Sequence, residues 1–262
     1  MKISFENKNA LVGGSTQGLG KAIAIQLAAC GANVTLMARN EDRLKKVLQL
    51  LNTESGQKHG YLVVDFSDLE HFRKTIGDFL RSHPIHILIN NTQGPEAGSV
   101  LEKGPAHYQD AFNLLFQTVC FTTLEALSAM RKIGYGRIIN VSSLSIREPS
   151  QNLVLSNTIR IAVTSWAKSL ATEVARDNIT VNTILTGNFD TERMSYLIGL
   201  QAKSKDLGYE EYKASRIEAI PMKRLGRPEE YAYLVAFLAS DYASYITGTN
   251  FPIDGGLLKS IG

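Results

Sequence analysis

Four glycines stand between a short apolar run, Ala10-Leu11-Val12, and a segment that becomes apolar at helical spacing. The glycines are Gly13, Gly14, Gly18 and Gly20; the segment carries Ala22, Ile23, Ile25, Leu27 and Cys30 and stops at Gly31. The order is strand, glycine-rich turn, helix. Such a turn suits a diphosphate. Backbone must pass close to the anion, where a side chain would block the approach. The free N–H groups and positive dipole end of the next helix then favour negative charge. The spacing, Gly14-x3-Gly18-x-Gly20, is not the commoner G-x-G-x-x-G. A tight turn without a ligand is the plain alternative, and the remaining chain weighs against it.

Further apolar segments read as strands at 33–38, 60–64, 85–89, 136–141, 179–185 and 249–253. Between them, helical spacing covers 41–51, a helix capped by Ser67 or Asp68 and running to about 81, then 106–131, 153–176 and 227–240. Pro228 sits in the first turn of the last helix. Residues 191–220 read as one or two helices in a polar insertion, expected to act as a lid. Alternating strands and helices, with near-continuous apolar strands, predict an α/β fold: a single domain over 1–262, with a doubly wound, mostly parallel seven-stranded sheet and helices on both faces. Polar clusters at 13–20, 38–40, 65–66, 90–95, 142–148 and 186–192 each follow a strand. All therefore converge on the carboxyl edge of the sheet, where ligands bind in such folds.

Composition narrows the function. The chain has 262 residues, 44% apolar and 20% charged, enough for one large core. Its 28 basic and 25 acidic residues nearly balance, with no basic arm, which argues against nucleic acid or an anionic membrane. No apolar run reaches the roughly 18 residues a membrane span needs. Two cysteines, Cys30 and Cys120, read as core residues in a reducing compartment, so the expected setting is cytoplasmic.

Gly13-Gly14-Ser15-Thr16-Gln17-Gly18-Leu19-Gly20 resembles the T-G-x-x-x-G-x-G of the short-chain dehydrogenase/reductase family, and Asn90-Asn91 its N-N-A-G. Residues 136–143 resemble its strand leading to the catalytic serine, and 178–182 its sixth strand. Residues 221–230 and the stretch from Ile246 to Gly256 resemble its C-terminal signature. The likeness runs along nearly the whole chain and is nearest to 3-oxoacyl-acyl carrier protein reductases. It implies a Rossmann-like fold, a bound dinucleotide, hydride transfer with a small carbonyl or acyl substrate, and a homotetramer. It also implies that Gly14, Ser15, Thr16, Gln17, Gly18, Leu19 and Gly20 hold the cofactor, and that Asp65 and Phe66 flank its adenine. Asn90 is placed along the adenine ribose, and Gly187 and Thr191 at the nicotinamide. Members that use NAD end their second strand with an acidic residue. Here that position is Ala38, followed by Arg39, whose planar fork suits a 2′-phosphate; NADP(H) is the expected cofactor.

The family's catalytic pair departs. Its tyrosine lies thirteen residues after the serine and its lysine four further on; counting from Ser143 reaches Ser156 and Arg160. No tyrosine occurs between Tyr135 and Tyr196. The family's active-site asparagine falls at Leu115, with Asn113 on another helix face. Thr186 replaces a proline before Gly187. The family's phenol, with an unperturbed pKa of about 10, acts as general acid beside an ammonium. A serine is a far weaker acid, and an arginine cannot release a proton. The site residues expected are Ser143, Ser156 and Arg160, with Arg160 also holding ribose hydroxyls. Two readings stand: an oxidoreductase whose proton comes from water, Tyr196 or Glu148, or a nucleotide-binding pseudoenzyme that senses or partners.

Overall fold

The computed structural model describes residues 2–261. Among these residues seven strands form one sheet: β1 (Asn9–Gly13), β2 (Asn33–Ala38), β3 (Gly60–Val63), β4 (Ile87–Asn90), β5 (Gly136–Val141), β6 (Ile179–Thr186) and β7 (Asn250–Ile253). Their order is β3-β2-β1-β4-β5-β6-β7, and every neighbouring pair is parallel. The chain winds outward from β1 to β3, then returns to pair β4 on the other side of β1. That reversal opens a crevice at the carboxyl ends of β1 and β4.

Among the described residues nine α-helices cover the sheet and its edge: α1 (Gly18–Ala29), α2 (Glu41–Leu48), α3 (Leu69–Ser82), α4 (Pro105–Phe112), α5 (Thr118–Ile133), α6 (Val154–Val174), α7 (Glu192–Ser204), α8 (Tyr209–Glu218) and α9 (Pro228–Ala239). Successive strand residues face opposite ways, so each strand feeds two cores. Ala10 and Val12 join Ile23, Leu27, Leu44, Tyr231 and Val235 on the face of α1, α2 and α9. Leu11 joins Phe72, Ile76, Leu127, Leu155 and Ile159 on the face of α3, α5 and α6. Local signals start and stop the helices. Asn40 accepts from the Arg43 N–H and Asp68 from the His71 N–H, capping α2 and α3. Gly134, at φ 68°, ends α5 in the left-handed conformation that glycine adopts without strain.

The long helix expected over 106–131 is interrupted. A π-helical turn, Asn113–Gln117, separates α4 from α5. The Thr118 hydroxyl donates to the Leu114 carbonyl at 2.6 Å and the Thr122 hydroxyl to the Thr118 carbonyl at 2.8 Å, which loosens the local ladder. The insertion at 191–220 is better built than its polarity suggests. Ile198, Ala202 and Tyr212 bury one another between α7 and α8, and Arg216 ties Gln201 to Asn188. On α6, Leu155, Ile159, Val163, Leu170 and Val174 all pack within this chain, leaving Ile161 half exposed.

Candidate active site

The glycine-rich turn is fixed first by the chain itself. A Cβ at Gly13 would lie 2.2 Å from the Asn91 carbonyl oxygen, and one at Gly20 2.2 Å from that of Gly14. Gly14 and Gly18 hold φ of 54° and 52°. The sequence ascribes these glycines to a ligand's approach; close backbone packing already requires them. Asn91 supplies the polar link, its side-chain amide donating to the Gly13 carbonyl at 3.0 Å. Ser15 is fully buried. Its N–H donates to the Met37 carbonyl, and its hydroxyl accepts from the Met37 N–H at 3.0 Å. The Ser15 side chain therefore pins the turn to β2 and does not face a ligand.

What remains for an anion is the end of α1. Gln17 occupies its cap position without capping it; the Gln17 side-chain Oε1 instead accepts from the Arg43 guanidinium at 2.7 Å. The first turn carries no acidic residue. The N–H groups there have no intrahelical partners, and the helix dipole adds its positive end. At the end of β2, Arg39 projects with 57% of its side chain exposed, 4.0 Å from Asp65. Burial works to raise the Asp65 carboxyl, but two hydrogen bonds from Ser67 and the Arg39 guanidinium outweigh it and hold it below its usual value. The nearest downstream carboxylate, Glu41, is occupied by Lys45 and Tyr61, each at 2.9 Å. This donor set matches a phosphorylated dinucleotide: an open helix terminus, then a cation where a 2′-hydroxyl reader would be acidic.

Two expected contacts are redirected. Phe66 is buried, its ring 5.2 Å from that of Phe72, so of the expected pair only the half-buried Asp65 reaches the surface at this strand end. Asn90 is buried as well. Its amide donates to Thr123 and to Asn140, both at 2.9 Å, which knits β4 to β5.

The other half of the edge gathers the residues named from the catalytic register. Arg160 donates from Nε to the Ser156 hydroxyl at 3.2 Å and from a terminal nitrogen to the Val141 carbonyl at 2.6 Å. The pair is thereby tied to the end of β5. Burial pushes the Arg160 guanidinium down to about 10, which still leaves it charged at neutral pH. Ser143 follows Val141 by two residues, and its hydroxyl accepts from the Ser145 N–H at 3.2 Å. A small pocket beside Arg160 is lined by Asn90, Thr92, Leu115, Asn140 and Ser142, among others, and by no carboxylate. The Ser142 hydroxyl and the Asn140 side-chain nitrogen are buried without a protein partner. Leu115, the residue reached by counting along the family register, lines that pocket, while Asn113 accepts from Gln109 outside it.

Neither substitute acid lies at this pair. Glu148 is exposed and accepts from the Lys259 and Ser260 N–H groups. Tyr196 is 53% exposed on α7, its ring centroid 5.5 Å from the Arg193 guanidinium. Thr191 caps α7 by accepting from the Met194 N–H, and its methyl faces Gly18. Gly187 packs on the end of β7, where a Cβ would lie 2.6 Å from the Asp254 Cα. Sequence reasoning missed Asn91, Ser142 and the link between Thr186 and the buried Tyr231 hydroxyl at 3.2 Å. The doubled Asn90-Asn91 was a usable signal for the first and the strand motif over 136–143 for the second; the third shows no motif.

An uncapped helix at the switch point of a parallel sheet, beside a serine-bearing strand end, defines a dinucleotide-binding oxidoreductase architecture. Residues 14–258 match the family model described as enoyl-(acyl carrier protein) reductase. The chain is 32% identical to the NADPH-dependent reductase BacG of Bacillus subtilis, over 98% of this chain and 100% of that protein. It is 33% identical to the 3-oxoacyl-[acyl-carrier-protein] reductase FabG of Haemophilus influenzae, again over 98% and 100%. Among solved structures, L-sorbose reductase from Gluconobacter frateurii, complexed with NADPH and L-sorbose, superposes with a TM-score of 0.91 at 30% identity over all of both chains. The chain belongs to the short-chain dehydrogenase/reductase family.

Proposed function

We propose that the protein is an NADP(H)-dependent reductase of a small carbonyl or acyl compound, working without the family's tyrosine acid. One observation carries this reading. A single sheet edge holds both an open α1 terminus with Arg39 beside it and the Ser156–Arg160 pair bound to Val141. The cofactor, when bound, supplies the hydride. Residues Gly14 to Gly20 and Arg39 would hold its phosphates, and Asp65 its adenine. Arg160 holds positive charge beside the reacting oxygen and orients the Ser156 hydroxyl. Ser143 and Ser156 donate hydrogen bonds to that oxygen as negative charge develops. None of the three has an acidity near neutral pH, so the last proton comes from water. The lid of α7 and α8 closes over the pocket.

Titration with NADPH and NADH, followed by NADPH oxidation over a panel of ketones, tests the reading. Tighter NADPH binding with slow turnover supports it. Tighter NADH binding contradicts the cofactor, and binding with no turnover on any ketone favours a nucleotide sensor. We further propose a homotetramer, because Ile161 on α6 and Tyr233 on α9 remain 50% and 56% exposed. Light scattering that returns a monomer at micromolar concentration contradicts it.

A further inference from the structure

Ser143 is the first residue of a hydrogen-bonded turn that ends at Glu148. The Ile146 N–H donates to the Ser143 carbonyl at 3.3 Å. The Arg147 and Glu148 N–H groups both donate to the Leu144 carbonyl, at 2.9 and 3.1 Å. The Ser145 N–H donates to the Ser143 hydroxyl at 3.2 Å. Residues 143–148 are thus one unit, and whatever holds Glu148 also limits where Ser143 sits.

A distant part of the chain holds Glu148. One carboxylate oxygen, Oε1, accepts from the Lys259 N–H at 2.8 Å and from the Ser260 N–H at 2.9 Å. Among the described residues, Glu148 forms no ion pair within 4 Å. Its partner is backbone, gripped by a charged acceptor. Segments beyond the last strand fray unless something ties them. This one is tied twice before it reaches Glu148. The Asp254 carboxylate accepts from the Gly256 N–H at 2.9 Å and the Leu258 N–H at 2.7 Å. The Gly255 carbonyl accepts from the Met222 N–H at 3.2 Å, just past α8. A Cβ on Gly255 would fall 2.9 Å from Ile220, and one on Gly256 3.2 Å from Pro221. Residues 254–260 therefore form a strap from the end of the lid to the end of the Ser143 turn.

We propose that Glu148 is a positioning residue: by gripping this strap it fixes the turn that carries Ser143 and couples that turn to the lid. The proposal rests on the reading of Ser143 as a hydrogen-bond donor to the reacting oxygen. Glu148 acts through Ser143 and moves no proton. Its carboxylate serves as a double acceptor, and the strap carries the position of residues 220–222 to the sheet edge.

Hydrogen–deuterium exchange, followed by steady-state NADPH oxidation over a panel of ketones, tests the proposal on the full chain. The variants are Glu148→Ala, Glu148→Gln and the paired change Lys259→Pro with Ser260→Pro. Glu148→Ala should speed exchange across 143–148 and across 217–222 about 10-fold, as expected for losing a charged acceptor. The proline pair removes both donors without touching the carboxylate and should reproduce that change. Glu148→Gln keeps Oε1 as an acceptor and should retain most of the native protection. In turnover, Glu148→Ala should lower kcat about 10-fold at unchanged KM, less than the roughly 10²-fold of losing an oxyanion donor outright. In a Ser143→Ala background the same change should cost nothing further, because the hydroxyl it positions is gone. Equal losses in both backgrounds mean a general structural role and overturn the proposal. Native exchange across 143–148 in both Glu148→Ala and the proline pair also overturns it. A native protein that oxidises NADPH with no ketone, while exchange rises as expected, overturns the reductase reading and keeps the strap.

Discussion

Two buried serines at opposite ends of the crevice are treated differently. Ser15, after β1, exchanges hydrogen bonds with both backbone groups of Met37. Ser142, after β5, is 6% exposed, and its hydroxyl has no protein partner. Their surroundings repeat the contrast. Around Ser15, glycines are forced by backbone contacts at 2.2 Å, and Asn91 locks the turn. Around Ser142, the Asn140 side-chain nitrogen is likewise unpartnered, and Arg160 carries a charge that burial opposes. The nucleotide end is determined by folding and survives as a unit. The reacting end keeps polar atoms that folding does not use, so its residues can change without unmaking the fold.

The largest expected effect is at the nucleotide end. Gly20→Val places a side chain against the Gly14 carbonyl and should destabilise by several kcal/mol, on the order of 4, a severe backbone clash. Thermal denaturation and soluble yield measure it; near-native stability would remove the steric account of the turn. Next comes Arg39→Ala, which should weaken NADPH about 10-fold through the lost charged contact and leave NADH unchanged. Equal losses for both cofactors would place the 2′-phosphate elsewhere.

The serine pair tests the comparison itself. Ser15→Ala should cost about 1–2 kcal/mol, since it strands the buried Met37 N–H. Ser142→Ala should change stability by no more than about 0.5 kcal/mol, because no bond is lost. Similar losses at both sites would erase the distinction.

The smallest effect belongs to Glu230→Gln. Bidentate contact with Arg224 and the Arg227 N–H hold the Glu230 carboxyl down to about 2. A depressed carboxyl stabilises above its unfolded value, and that stability is lost as pH falls toward the folded one. The melting temperature of the native protein should exceed that of the variant at pH 7, and the gap should close between about pH 4.5 and pH 2. A constant gap would mean the contact is not electrostatic.

Much of the architecture was legible because it is periodic. Apolar runs and helical spacing placed all seven strands, with Gly136–Val141 bounded as expected. The π-helical turn was hidden, because threonines that bond their own helix carbonyls read like any polar helix residue. Ser143, Ser156 and Arg160 were reachable by counting along a known register. Their partners were not: the Val141 carbonyl, Asn91 and Tyr231 act through contacts that join residues far apart in the chain. Phe66 shows the limit of position alone. It follows a strand at the binding edge, yet its ring turns into the core against Phe72.

The central claim is that the site polarises an oxygen but holds no positioned acid. It is tested most directly by single-turnover NADPH oxidation on a ketone by the native protein, Ser156→Tyr, Arg160→Lys and the double variant. Tyrosine beside arginine lacks the ammonium, and lysine beside serine has nothing to acidify. The account predicts a gain on the order of 10²-fold for the double variant only, the low end for adding a general acid. A native protein that already reduces ketones at ordinary rates, and loses that activity in the double variant, would contradict it and place the acid on another residue.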